Sequence, residues 1–376
     1  PLGSVTKPVD SQRFDGMQIV DFPYKRNGVG FTPNRREPRT YDAAQIWKQL
    51  DGDTTEIQMT DEVYSHRNPT VSPDGRWIAF VASPRFLPDS VLQAERDSIS
   101  KLPYDPVRDE APRNDSEIFV IPADGGEPRR LTNQNGSEGR LVWSPDSKRV
   151  AFTSRLERTS NNKLWIVDLE GGEPRDILGD WQFEPGGFEW IPGGPILMNA
   201  SIGGRSALFH VDPDTGAMVE AISGRRRISG FSYDDAYGTV AFVATSVHEP
   251  TELFIADLDG QNERRLTGFN DDLNREIARP KADRFTYESV GGLEIEAWLQ
   301  YPHGYVEGRR YPLVLYIHGG PHSAYGEGWF DEFHSITGAG MFVLYTNPRG
   351  SGGYGAEFTY STRGRWGMED YEDLMK

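Results

Sequence analysis

One pattern of residues is written three times in this chain and twice more in weaker form. Ile118-Phe-Val-Ile-Pro-Ala-Asp-Gly-Gly-Glu-Pro-Arg-Arg-Leu-Thr132 returns as Leu164-Trp-Ile-Val-Asp-Leu-Glu-Gly-Gly-Glu-Pro-Arg-Asp-Ile177 and as Leu253-Phe-Ile-Ala-Asp-Leu-Asp-Gly-Gln-Asn-Glu-Arg-Arg-Leu-Thr267. Leu208-Phe-His-Val-Asp-Pro-Asp-Thr-Gly216 and Ile46-Trp-Lys-Gln-Leu-Asp-Gly52 are the weaker copies. An apolar run, an Asp/Gly turn and a second run form the sequence signature of a β-hairpin. The turn glycines Gly125, Gly171, Gly216 and Gly260 lie 46, 45 and 44 residues apart, the period of four-stranded propeller blades. Helical solenoids share that period, but not this alternation of apolar and aromatic residues between Asp-Gly turns.

A second element repeats upstream of most hairpins: Val71-Ser-Pro-Asp-Gly-Arg-Trp77, Trp143-Ser-Pro-Asp-Ser-Lys-Arg149, Trp190-Ile-Pro-Gly-Gly194 and Phe231-Ser-Tyr-Asp-Asp235. Five hairpin units are predicted between about residues 17 and 270, and a sixth near the N-terminus stays open. The two Ser-Pro-Asp elements, at Ser72 and Ser144, are 72 residues apart, and the excess predicts a long insertion over Ser83 to Ser116. Such an insertion packs outside, mediates assembly or gates access, and self-association into a homo-oligomer is left open. From Phe285 onward the style changes to α/β. A hairpin is predicted over Phe285–Gln300, buried strands over Tyr311–Ile317 and Gly340–Thr346, and helical segments between and after them.

The net charge of −17 argues against nucleic acid as a partner. The chain has no cysteine, which removes disulfides and thiolate metal sites and suits a reducing compartment. No run of 18 apolar residues and no charged-then-apolar leader is present, so neither a membrane partner nor a secretory signal is predicted, and a cytoplasmic location is the default. Pro1-Leu-Gly-Ser4 reads as the scar of a cleaved purification tag. The histidines show no His-Glu-x-x-His spacing, so no metal and no cofactor is predicted.

The chemistry-bearing stretch is Leu313-Val-Leu-Tyr-Ile-His-Gly-Gly-Pro-His-Ser323, followed by Asn347-Pro-Arg-Gly-Ser-Gly-Gly-Tyr-Gly355. A β-rich run breaking into His-Gly-Gly-Pro can turn backbone N–H groups toward a reacting oxygen, because glycine brings no Cβ between them. In acyl transfer each such donor contributes about 2.7 to 4 kcal/mol to the transition state. No Gly-x-Ser-x-Gly elbow occurs in the chain. Ser232 sits in a blade turn, and Ser351 lacks the elbow's first glycine, so both read as turn or loop residues.

The domain order, His318-Gly-Gly-Pro321 and Asn347-x-Arg-Gly-Ser-x-Gly-Tyr-Gly355 together resemble the prolyl oligopeptidase family of serine peptidases, with acylaminoacyl peptidases the nearest likeness. The resemblance implies an all-β propeller of five or more blades over residues 5–280, followed by the N-terminal part of an α/β-hydrolase domain over 281–376. It implies that Gly320, beside Gly319, gives one oxyanion N–H, while His318 braces the turn. The catalytic Ser, Asp and His are then expected beyond Lys376, so this polypeptide needs a C-terminal hydrolase fragment or the remainder of its chain to act. The implied reaction is hydrolysis of short peptides through an acyl-enzyme, with release of an N-acylated amino acid.

Further candidates are Trp329 and Phe330, which line a substrate pocket or form core. Arg225, Arg226 and Arg227 are solvated turn charges or a clamp for a peptide carboxylate. The clamp would make the enzyme a carboxypeptidase; an endo-oligopeptidase and a non-catalytic propeller binding protein are the other readings. Arg349 is expected to pair with an acidic residue of the helix over Gly367–Met375, such as Asp370.

Overall fold

The computed structural model describes residues 44–376 except 51, 53, 63, 83–115, 158 and 321. Residues 1–43 and, but for Ser116, the expected insertion lie outside the described residues, as does Pro321. Contacts gather the chain into two compact units, one of residues up to 158 with 164–176, the other of 159–163 with 177–376.

In the first unit β1 (Trp47–Gln49) pairs with β2 (Glu56–Gln58). Next, β3 (His66–Val71), β4 (Trp77–Ala82), β5 (Glu117–Pro122) and β6 (Arg129–Arg130) form an antiparallel sheet in chain order. A second such sheet holds β7 (Ser137–Trp143), β8 (Arg149–Arg155), β9 (Lys163–Asp168) and β10 (Arg175–Asp176). Two more follow in the second unit: β11 (Pro185–Trp190), β12 (Ile196–Ile202), β13 (Arg205–Val211) and β14 (Met218–Ile222), then β15 (Arg227–Asp234), β16 (Thr239–Ser246), β17 (Glu249–Asp257) and β18 (Arg264–Arg265). The repeated hairpin is therefore strands three and four of each of these four sheets, and the Ser-Pro-Asp element is the turn between strands one and two; its fourth counterpart differs, since Ser232, expected in a turn, lies within β15.

Local chemistry explains why these turns recur. In the first, Ser72 Oγ donates to Asp74 Oδ1 at 2.6 Å and accepts from Trp77 N at 3.0 Å. The second copies it: Ser144 Oγ donates to Asp146 Oδ1 at 2.6 Å and accepts from Arg149 N at 2.9 Å. Each side chain thus satisfies amides that a tight turn leaves over. At Gly216 and Gly260 two demands coincide, because φ is +73° and +82° and a Cβ would lie 2.2 Å from the backbone oxygen of Ile177 and Ala221 respectively.

Central strands such as β4, β5 and β12 are buried on both faces and pack sheet against sheet. Ala79, Val120, Trp143 and Phe152 share one core, while Leu197, Leu208, Val240 and Phe242 share another. The outermost strands β6 and β18 are two exposed arginines each, a charged edge that discourages pairing with other chains.

The short helix α1 (Asp271–Glu276) occupies the polar break, and a mixed sheet follows. Its strands β19 (Ala282–Glu288), β20 (Glu294–Gln300), β21 (Leu313–Tyr316) and β22 (Phe342–Asn347) lie in the order β19-β20-β22-β21, with β21 parallel to β22. Helix α2 (Asp331–Gly338) makes the crossover between β21 and β22, and α3 (Ala356–Tyr360) and α4 (Glu369–Met375) close the chain. This sheet packs within the same unit as β11–β18. The strand expected to be buried over Tyr311–Ile317 is shorter and lies at the sheet's edge, with Leu313 53% and Ile317 51% exposed. Pairing with β22 alone among the described strands leaves its outer side uncovered.

The Ser72 hydroxyl, then the backbone and side chain of Arg76, hold the Asp74 carboxyl down at about 2. A depressed carboxyl contributes stability above the unfolded-state value, about 3.9, and loses it as pH falls through the folded one. The melting-temperature difference between the native chain and Asp74→Asn is therefore expected to be largest above about pH 4, to shrink toward pH 2 and to vanish below it. A pH series of thermal melts checks this.

Candidate active site

β21 ends at Tyr316, and the next residues leave the sheet. Gly319 and Gly320 are exposed, and Gly320 has φ +117°, a region closed to most side chains. Space is not the constraint at Gly320, since a Cβ there would sit at an ordinary 3.4 Å from Ser323 N. The backbone N–H groups of Gly319 and Gly320 donate to no described residue. Two adjacent amides without an acceptor among the described residues, at the end of a strand parallel to its neighbour, form a donor pair available to an anionic oxygen.

Histidines flank the glycines. His318 Nε2 lies 2.9 Å from Ser351 Oγ, and burial pushes the imidazole below its ordinary value, so near pH 7 it is neutral and carries a single proton. Ser351 Oγ gives its own proton to Pro348 O at 2.6 Å, so Nε2–H is the donor to Ser351, and Nδ1, 3.3 Å from Gly319 O, is left without a proton. His322 Nδ1 lies 2.9 Å from Gly350 O. The turn is thus tied to the loop after β22.

That loop is fixed by Arg349. Its Nε and Nη2 each donate at 2.8 Å to the Asp373 carboxylate, and its backbone N donates at 2.9 Å. Asp373 is fully buried and also accepts from Ser289 Oγ at 2.5 Å. The helix expected to supply the acidic partner does so, but through Asp373 rather than Asp370. Asp370 faces the start of α4, where its two oxygens accept from Gly367 N at 2.8 and 3.0 Å.

The three arginines separate. Arg226 turns away, pairing with both oxygens of Glu263 at 2.6 Å and lying 5.1 Å from the Phe242 ring centroid. Arg227 is desolvated, which lowers its value, and donates to Ala324 O at 3.2 Å. Arg225 Nε meets Glu327 Oε1 at 3.1 Å, with its side chain 60% exposed. Trp329 N donates to Thr245 Oγ1 at 3.1 Å and its ring stacks on His334 at 3.6 Å. Phe330 is 38% exposed and packs against Phe333 at 4.5 Å within an aromatic cluster that includes Tyr316 and Tyr325. Tyr316 is pushed up to about 12, first by its hydrogen bond to Glu332.

One contact escaped the sequence reading. The Gly203-Gly204 tip between β12 and β13 enters the mixed sheet: Gly203 N donates to Gly353 O at 2.6 Å, Glu327 N to Gly204 O at 2.8 Å, and Gly204 N to buried Glu296 Oε2 at 2.9 Å. A Cβ on Gly204 would lie 2.3 Å from the Trp298 ring, and one on Gly326 1.8 Å from Gly204 O. Tyr354 donates to the same Glu296 oxygen, and burial, then the nearby Glu296 charge, raises its value. The signal available was an acid, Glu296, between apolar Ile295 and Ala297 of β20, with glycine pairs far away in sequence. Among the described residues no cluster of His, Asp and Glu is gathered to hold a metal, and no helix is long and apolar enough to cross a membrane.

Four-stranded antiparallel sheets followed by a mixed sheet that ends in a glycine turn define the class, blade-like sheets joined to a segment of hydrolase-like fold. The family resemblance read in the sequence is shown by comparison: residues 329–376 match the prolyl oligopeptidase family. The chain is similar to the uncharacterized peptidase YuxL of Bacillus subtilis, 29% identical over 90% of this chain and 63% of that protein. It is also similar to a probable dipeptidyl-peptidase 5 of Emericella nidulans, 28% identical over 81% of this chain and 42% of that one. In fold it resembles a solved acylaminoacyl peptidase from Pyrococcus horikoshii, with a TM-score of 0.59, 20% identity, and coverage of 89% of this chain and 59% of that one. The chain thus spans less than two thirds of the length of each.

Arg349→Met leaves a fully buried carboxylate without its cation and is expected to cost about 3–5 kcal/mol in urea unfolding. Asp370→Ala removes only a helix-start acceptor and is expected to cost about 1 kcal/mol in the same measurement. Gly204→Ala wedges a methyl against Trp298 and is expected to cost about 1–3 kcal/mol.

Proposed function

We propose that this chain carries the blades and the first hydrolase segment of a serine peptidase that cleaves short peptides through an acyl-enzyme and releases an N-acylated amino acid. The supporting observation is the amide pair of Gly319 and Gly320, which donates to no described residue. In this reading a serine outside these 376 residues attacks the scissile carbonyl, and the carbonyl oxygen takes the electron pair. Gly320 N–H donates to that oxygen, and a second donor is the amide following the serine. Collapse expels the amine with a proton, and water then releases the acyl group. The blades restrict entry to short peptides.

A second reading, release of an N-terminal dipeptide, is favoured by the relative named a probable dipeptidyl-peptidase 5. A carboxypeptidase would rest on Arg225 alone, whose terminal nitrogens donate to no described residue, because Arg226 and Arg227 are committed elsewhere.

The test uses the full-length natural protein that carries this sequence. It is expected to take a fluorophosphonate label that serine-blocking reagents suppress, and to release acetyl-alanine from a blocked peptide faster than it cuts free-amino-terminus or carboxyl-blocked peptides. Absence of suppressible label would refute the peptidase reading. Gly320→Ala forces a side chain into the positive-φ turn and is expected to lower kcat/KM by about 10²–10³-fold.

A further inference from the structure

We propose that His322 is a positioning residue for the oxyanion amides, a role that rests on the peptidase reading above. Two consecutive exposed glycines have no side chains to hold them and the largest freedom of any residues, so their amides are useful only if something outside the turn fixes their direction. The structure supplies two fixings, one on each side. His318 precedes the glycines and donates Nε2–H to Ser351 Oγ at 2.9 Å. His322 follows them, and its Nδ1 lies 2.9 Å from Gly350 O; a carbonyl only accepts, so Nδ1 carries the proton.

Both anchors are in one short loop, and that loop does not yield. Gly350 N donates to Phe358 O at 2.9 Å, Ser351 is fully buried, and Arg349 is clamped on Asp373. The backbone around His322 is also seated there: Ser323 O accepts from Gly352 N at 3.3 Å, and a Cβ on Gly352 would lie 2.8 Å from His322 O. The Tyr360 ring meets the imidazole edge-on at 5.1 Å. Removing the His322 bond loosens the downstream end of the turn, leaving it tied by the longer Gly352 N–Ser323 O bond, while His318 still holds the upstream end. The amides then swing rather than unfold, and a displacement on the order of 1 Å costs about a hundredfold in rate.

Asn and Asp separate this role from bulk, because the Asn Nδ2 attaches where the imidazole Nδ1 does and can donate to Gly350 O, whereas an Asp carboxylate there cannot. In the full-length protein, kcat on acetyl-alanine p-nitroanilide, KM, and the fluorophosphonate labelling rate are measured for native, His322→Asn and His322→Asp. His322→Asp is expected to lower kcat and labelling rate about ten- to a hundredfold with KM and melting temperature little changed, and His322→Asn to stay close to the native enzyme. Equal behaviour of the two variants, or native kcat in His322→Asp, overturns the inference while the peptidase reading stands. A native protein that neither labels nor cleaves removes both. Should His322→Asp fail to fold, His322→Ala replaces it, with the same loss expected and a native rate overturning the role.

Discussion

A carboxylate sealed from water has to be met by donors, and Asp373 is met by four: Ser289 Oγ and the backbone N, Nε and Nη2 of Arg349. Helix α4, the end of β19 and the loop after β22 therefore cannot part without stranding a charge in a medium that does not solvate it. Tyr287 adds a bond from its hydroxyl to the Asp373 backbone oxygen at 2.6 Å. The glycine turn inherits this rigidity, because the groups it holds onto, Ser351 and Gly350, lie directly beside Arg349.

The same device recurs elsewhere in the second unit. Glu296 gathers Gly204 N, Tyr354 and Arg284, and Glu327 accepts from Trp298 Nε1 at 3.2 Å and from Arg225. In a chain of net charge −17 most acids can remain in water, yet these three face inward. Each joins segments distant in sequence, so the polar interior binds the β12–β13 tip, the mixed sheet and its loops as firmly as the aromatic stack of Trp298 on Tyr345 does.

What was legible in the sequence was what local chemistry decides. Ser-Pro-Asp and Asp-Gly turns carry their own hydrogen bonds, so the four-stranded sheets could be read from spacing alone, as could the strand, glycine turn and second strand around His318. What was not legible depended on residues far apart. Arg349 chose Asp373 over Asp370, one helical turn away, because the side of α4 that faces the sheet is set by packing. The run Arg225-Arg-Arg227 looks uniform in sequence, yet it spans the bend that leads into β15, and the middle residue goes to Glu263 while its neighbours go to the 324–327 segment. The edge position of β21 follows from strand order, which periodicity does not encode.

The bare-backbone fit of Gly204 against Gly326 and Trp298 limits how this protein can be rearranged. A blade taken from another protein would have to arrive with a hairpin tip equally free of side chains, and a new mixed sheet would have to bring its own notch and acid to receive it. Modular as the repeats look, the β11–β14 blade and the mixed sheet can be exchanged only as a matched pair.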